Sequence, residues 1–115
     1  MENDIRAKAR HIPISAQKAR LVIDLVRGKD VVEALEVLSF VPNKASLPVS
    51  NLINSAIANA ENNLGLNRYD LFIHYIVADV GPTRKWRRFG ARGRVKPRLR
   101  RSSHLSIILR EREEA

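Results

Sequence analysis

Between positions 84 and 101 stand Arg84, Lys85, Arg87, Arg88, Arg92, Arg94, Lys96, Arg98, Arg100 and Arg101, ten cations with no carboxylate among them. Side chains of this kind hold phosphates. Guanidinium forks grip two oxygens at once, and an ammonium supplies a point charge. Trp86 and Phe89, set among them, offer aromatic faces on which unpaired bases can stack, and Gly90 and Gly93 let backbone N–H groups approach a phosphate closely. The segment has too few apolar residues to bury itself, and repulsion among its charges opposes compaction, so a polyanion around it is expected. A solvated loop without a partner is the bland alternative. Anionic lipid fits less well, because neither an amphipathic helix nor a long apolar face accompanies the charge.

A second basic group lies near the start of the chain: Arg6, Lys8, Arg10, Lys18, Arg20, Arg27 and Lys29, opposed within that span by Asp24 alone. Lys18 near the start of a helix is electrostatically odd, since a helix N-terminus prefers negative charge, and a phosphate there would remove the oddity. Ser15 reads first as a simple cap. The predicted nucleic-acid-binding set is Arg6, Lys8, Arg10, His11, Lys18, Arg20, the ten cations of residues 84–101, Trp86 and His104. Enzymatic chemistry finds no support. His11, His74 and His104 are widely separated with no paired carboxylates at ligand spacing, and Gly90-Ala91-Arg92-Gly93 does not lead from a strand into a helix as a nucleotide-binding loop would. No catalytic residue, metal or cofactor is expected.

The elements that must position these residues fit in one domain, residues 1–115. Of 21 Lys and Arg against 12 Asp and Glu, ten cations belong to residues 84–101, so the other 97 residues hold eleven cations against twelve carboxylates. A nearly neutral body therefore carries one cationic insert. Cysteine is absent, which excludes disulfides and thiolate sites. Residues 1–4 contain two acids and no apolar run, so no signal or transit peptide is expected, and no stretch reaches the length of a membrane span. A soluble intracellular protein with no membrane partner is what remains, and no homo-oligomer is expected.

Residues 5 to 12 alternate apolar and basic, which predicts a half-buried strand with Arg6, Lys8 and Arg10 outward. Pro13 ends it, and Ser15 caps a helix to Arg27 with Ala19, Val22, Ile23 and Val26 inward, stopped by Gly28. Asp30 with Glu33 predicts a capping box for a short second helix closed by Pro42. A third helix is expected from about Asn43 to Asn63, and Pro48 requires that it either start near Leu47 or bend. Residues 71–80 and 104–110 are rich in β-branched and aromatic or aliphatic side chains and predict two further strands. The fold class is thus α+β: three helices on a small three-stranded antiparallel sheet, with a long β-hairpin extension over residues 81–104. Two arms of about ten residues would reach on the order of 30 Å past the sheet.

Ser15-Ala16-Gln17-Lys18-Ala19-Arg20-Leu21-Val22, Asp24-Leu25-Val26-Arg27-Gly28-Lys29, Ser55-Ala56-Ile57-Ala58-Asn59-Ala60-Glu61-Asn62-Asn63, Gly81-Pro82-Thr83, Ala91-Arg92-Gly93-Arg94 and Ser102-Ser103-His104 follow one another in order. Together they resemble the bacterial large-subunit ribosomal protein L-twenty-two family over nearly the whole chain. The resemblance implies a structural protein of the large subunit that binds rRNA, located in the ribosome of the cytoplasm, with its body near the mouth of the nascent-peptide exit tunnel. It also implies neighbouring large-subunit proteins as partners, and a hairpin tip, Phe89, Gly90, Ala91, Arg92, Gly93 and Arg94, facing the nascent polypeptide on the tunnel wall. Many members have Pro-Arg where this chain has Phe89-Gly90, and Pro97 stands where an arm should pair, which implies irregular pairing there. The alternatives from the residues alone are a free-standing nucleic-acid-binding protein or RNA chaperone and, from another class, an RNA-processing enzyme.

Overall fold

A computed structural model describes residues 4–82, 84–89 and 95–112, the two segments 84–89 and 95–100 by their backbone. The chain runs β1 (Ile5–Ile12), α1 (Ala16–Val26), α2 (Val31–Ser39), α3 (Ser46–Leu64), a single 3-10 turn (Arg68–Asp70), β2 (Leu71–Val80), β3 (Arg84–Phe89), β4 (Val95–Arg100) and β5 (Ser103–Glu111). It is an α+β fold measuring 68 × 27 × 20 Å along its principal axes.

Local chemistry accounts for most of the helix ends. Ser15 is extended, and its Oγ accepts from the Lys18 N–H at 3.4 Å, capping α1. Gly28 just beyond that helix takes a left-handed φ of 79°, which costs glycine little. Before α3, Asn43 builds a turn in which its Oδ1 accepts from Ala45 N–H and its carbonyl from Ser46 Oγ–H, so the helix begins at Ser46 rather than Asn43. Pro48 therefore falls in the first turn, where its missing N–H breaks no helical bond. At the other end Leu66 N–H folds back onto the Ala60 carbonyl around left-handed Gly65. The cap expected at Asp30 differs. Asp30 is the N-cap by backbone, yet its side chain makes no cap bond, because Arg112, 82 residues away, holds the carboxylate.

The main sheet has the order β1-β5-β2 and is antiparallel throughout. All three helices pack against it, α3 over β1 and β5 and α1 over β2, and they cover one face. That face buries Ile5, Leu71, Ile73, Ile76, Ala78, Leu105, Ile107 and Leu109 against Val22, Ile23, Val26, Val31, Leu52, Ile53, Ala56 and Ile57. Burial of each Ile or Leu contributes about 1.5–3 kcal/mol, which is why the helices share this side. The opposite face is left open and carries Arg6, Lys8 and Arg10 along β1 and His104, Ser106 and Arg110 along β5.

Two irregularities shape the open face. The β1–β5 register shifts between Ala9 and Ile12, where His11 adopts φ 58°, so both Arg10 and His11 point outward instead of alternating. A second shift between Ile73 and Tyr75 exposes His74 and Tyr75 together. Beyond the sheet, β3 and β4 form their own two-stranded ladder with Arg84 opposite Arg100 and Phe89 opposite Val95. Pro97 pairs opposite Arg87 without a register shift, so the irregular pairing expected there is corrected: the ladder keeps register although proline donates no bond to it.

Candidate nucleic-acid interface

Where the hairpin leaves the body, the strands are tied by two bonds. Gly81 N–H donates to the Ser102 carbonyl at 2.9 Å, and Ser102 Oγ–H donates to the Pro82 carbonyl at 2.8 Å. Gly81 permits this close crossing, since a Cβ there would lie 2.6 Å from Ser102 Oγ. Cationic hollows lie on both sides of this root.

The larger, of about 730 Å³, lies on the helix side and is walled by the N-terminus of α1, the turn before α3 and the hairpin base. Lys18, Arg20, Lys44 and Arg101 line it together with Ser15 and Ser102, and no carboxylate does. Arg20 is partly committed: its Nε and Nη2 both donate to the Ala78 carbonyl, at 3.1 and 2.9 Å, which fastens α1 to the edge strand β2. The smaller hollow, of about 290 Å³, lies on the open sheet face among Lys8, Arg10, His11, Asp79, His104 and Ser106. There His11 N–H donates to His104 Nδ1 at 3.1 Å, and the two rings meet edge to face with centroids 4.9 Å apart. An accepting Nδ1 leaves the His104 proton on Nε2. This bond and the ring contact offset the strained backbone of His11, which for a non-glycine residue costs about 1–3 kcal/mol.

Charge pairing divides the body. At the end away from the hairpin each of six cations has a carboxylate: Arg6 and Arg110 on Asp4, Arg27 on Asp24, Lys29 on Glu33, Arg68 on Glu61 and Arg112 on Asp30. The hydrogen bond from Arg110 holds the Asp4 carboxyl below its ordinary 3.8, helped by the charges of Arg110, Arg6 and His74. Arg68 lowers Glu61 in the same way and is itself raised. Around the root, Lys8, Arg10, Lys18, Lys44 and Arg101 form no ion pair among the described residues. Their charge is therefore available to an anion.

The predicted site residues thus fall into groups. Lys8, Arg10, His11, Lys18, Arg20, Arg101 and His104 converge on the root. Arg6 shares the strand face but is drawn to Asp4 at the other end. Arg84, Lys85, Trp86, Arg87 and Arg88 lie on β3 with Phe89 closing it, and Lys96, Arg98 and Arg100 lie on β4. Gly90, Ala91, Arg92, Gly93 and Arg94 lie outside the described residues. The register sets Arg84 opposite Arg100 and Arg88 opposite Lys96. Sequence reasoning missed Lys44 and Ser102. A lone lysine between Asn43 and Ala45 carries no signal beyond its charge, and the fold alone brings it to α1.

The sequence profile described as Ribosomal protein L22p/L17e matches residues 7–110. The chain belongs to that family. Two curated relatives, each described as "Large ribosomal subunit protein uL22" and coming from Thermoanaerobacter sp. (strain X514) and Thermoanaerobacter pseudethanolicus, are 48% identical over 110 residues, covering 96% of this chain and 99% of theirs. For a member of that family the division of charge is intelligible: one end closes its own ion pairs, while the other presents open cations beside a basic hairpin. No helix among the described residues is long and apolar enough to cross a membrane, and no cluster of three metal-ligating side chains occurs among them.

Proposed function

We propose that this chain is a structural, non-enzymatic rRNA-binding component of the large ribosomal subunit in the cytoplasm, acting as one unit over residues 1–115. The root grips RNA phosphates with Lys8, Arg10, Lys18, Lys44 and Arg101, and the hairpin strands carry the remaining cations into the RNA. The tip at residues 89–94 lines the nascent-peptide exit tunnel, while the body stays near the tunnel mouth beside neighbouring large-subunit proteins. The observation that carries this reading is the charge around the root that forms no ion pair among the described residues, set against the six cations paired at the far end. Such cations release counterions from RNA when they bind, while the geometry of the root fixes the direction of the arm.

Two measurements test it. Sedimentation of a tagged copy through a sucrose gradient after a high-salt wash should leave it in the large-subunit peak, and recovery at the top of the gradient would overturn the assembly. Lys18→Ala combined with Lys44→Ala should reduce the slope of log K against log salt for rRNA by about 0.7–0.9 for each phosphate that is no longer neutralised. An unchanged slope would remove the root from the interface.

A further inference from the structure

The end of the body opposite the hairpin carries a groove that the RNA reading does not use. β2 runs ten residues, about 30 Å, from the 3-10 turn to the root. Beside that turn, Val32, Leu35, Glu36 and Ser39 of α2 face Arg68 and Tyr69 across a groove of about 320 Å³. Helix α2 is apolar on more than one side. Val31, Ala34 and Leu38 are buried in the core, while Val32 and Leu35 form a second stripe that is half-buried at the groove floor. Tyr69 forms the far wall and is 73% exposed, and Phe40 at the end of α2 is 86% exposed.

The polar groups give the groove a sign. Arg68 is held by Glu61 through two bonds, Nε to Oε2 at 3.0 Å and Nη2 to Oε1 at 2.9 Å, so its charge is already answered. Ser39 Oγ–H turns back to the Glu36 carbonyl at 2.6 Å and is spent there. The Glu36 carboxylate, by contrast, has neither an ion pair nor a hydrogen bond among the described residues. An uncommitted carboxylate over an aliphatic floor repels phosphate, which disfavours RNA and anionic lipid, and it complements a cation carried on an apolar segment.

We propose that this groove docks a cationic amphipathic segment of another protein, with a bulky apolar side chain seated against Val32, Leu35 and Tyr69 and a Lys or Arg on Glu36. The body thereby has two faces of opposite preference, RNA at the hairpin root and a basic protein segment at the far end. The inference rests on the large-subunit reading only for the choice of particle in which it is tested.

The test places the photo-crosslinking residue p-benzoylphenylalanine at Tyr69, whose side chain makes no hydrogen bond among the described residues, in the full chain. A second copy carries it at Lys44. Particles are irradiated and the crosslinked peptides or nucleotides are sequenced by mass spectrometry. The Tyr69 copy should join a protein segment with Lys or Arg within one helical turn of a bulky apolar residue, with the yield falling about fivefold in Glu36→Lys. Melting of Glu36→Lys should match the parent, since the residue is exposed. A Tyr69 crosslink to RNA, to an acidic segment or to a second copy of this chain would overturn the proposal, as would a yield indifferent to Glu36→Lys. So would no product at Tyr69 while the Lys44 copy still joins RNA. Failure at Lys44 with the expected Tyr69 product would instead count against the RNA reading and leave the groove standing.

Discussion

The two ends of the body use the same residue types to opposite effect. Around the 3-10 turn and the start of β2, arginines and lysines are matched to carboxylates and do internal work, as Arg112 does by holding Asp30 and lying over the Phe72 ring at 4.8 Å. Around the hairpin root the cations face two hollows whose lining, among the described residues, includes Asp79 as the one carboxylate. Count alone would not separate these ends, because the difference lies in whether a partner is already in reach. A basic residue signals a nucleic-acid contact only when the fold has left it unanswered.

The most forceful way to break the comparison is to remove the arm. Replacing residues 84–101 with a tight turn should flatten the salt dependence of rRNA binding, by up to about 9 in slope if all ten cations meet phosphates. Filter binding across a salt series checks this, and an undiminished slope would assign the affinity to the body. The root should be next in sensitivity. Gly81→Ala drives a Cβ toward Ser102 Oγ, so either Ser102 rotates and gives up its bond to Pro82 or the strands separate, a loss of about 1–3 kcal/mol in urea unfolding. Wild-type stability in that variant would show that the crossing is looser than the short approach implies.

Acid should loosen the far end first. Asp4 and Glu61 both have carboxyls held below their ordinary 3.8 and 4.5 by arginine hydrogen bonds, so their contribution is complete above those values and is lost as pH falls below them through the lowered ones. Amide exchange near residues 4–6 and 61–68 should therefore rise in that window ahead of exchange at Gly81 and Ser102. Simultaneous loss at both ends would contradict the division. The smallest effect concerns Ser103, which is fully buried with its Oγ lacking a partner among the described residues. Ser103→Ala removes an unsatisfied hydroxyl and should be neutral or raise stability by about 1 kcal/mol, read from the melting temperature. A marked loss would reveal a hydrogen bond formed by that hydroxyl.

Much of this architecture was legible because local patterns are short-range statements about burial. Alternation over residues 5–12, the 3-4 spacing of Ala19, Val22, Ile23 and Val26, and the β-rich residues 71–80 each name a face that must be covered. Pro48 was legible as a constraint but not as an outcome, since only the Asn43 turn decides that the helix starts after it. The Asp30–Glu33 pattern misled because a capping box competes with any cation that folding brings near, and Arg112 wins that competition from 82 residues away. The outward turn of His11 was equally hidden, for it depends on a bulge fixed by His104, 93 positions later.

By itself the sequence determined that a nearly neutral α+β body would carry a basic hairpin needing a polyanion, because charge density and hydrophobic period are properties of neighbouring residues. Only the tertiary structure decided which basic residues of the body remain open to that polyanion. Lys44 joined Lys18 at the root, Arg6 went to Asp4, and Glu36 was left without an ion pair among the described residues beside an apolar groove. Pairing of charges depends on distance in space, and which residues tens of positions apart come together is set by how the helices cover the sheet.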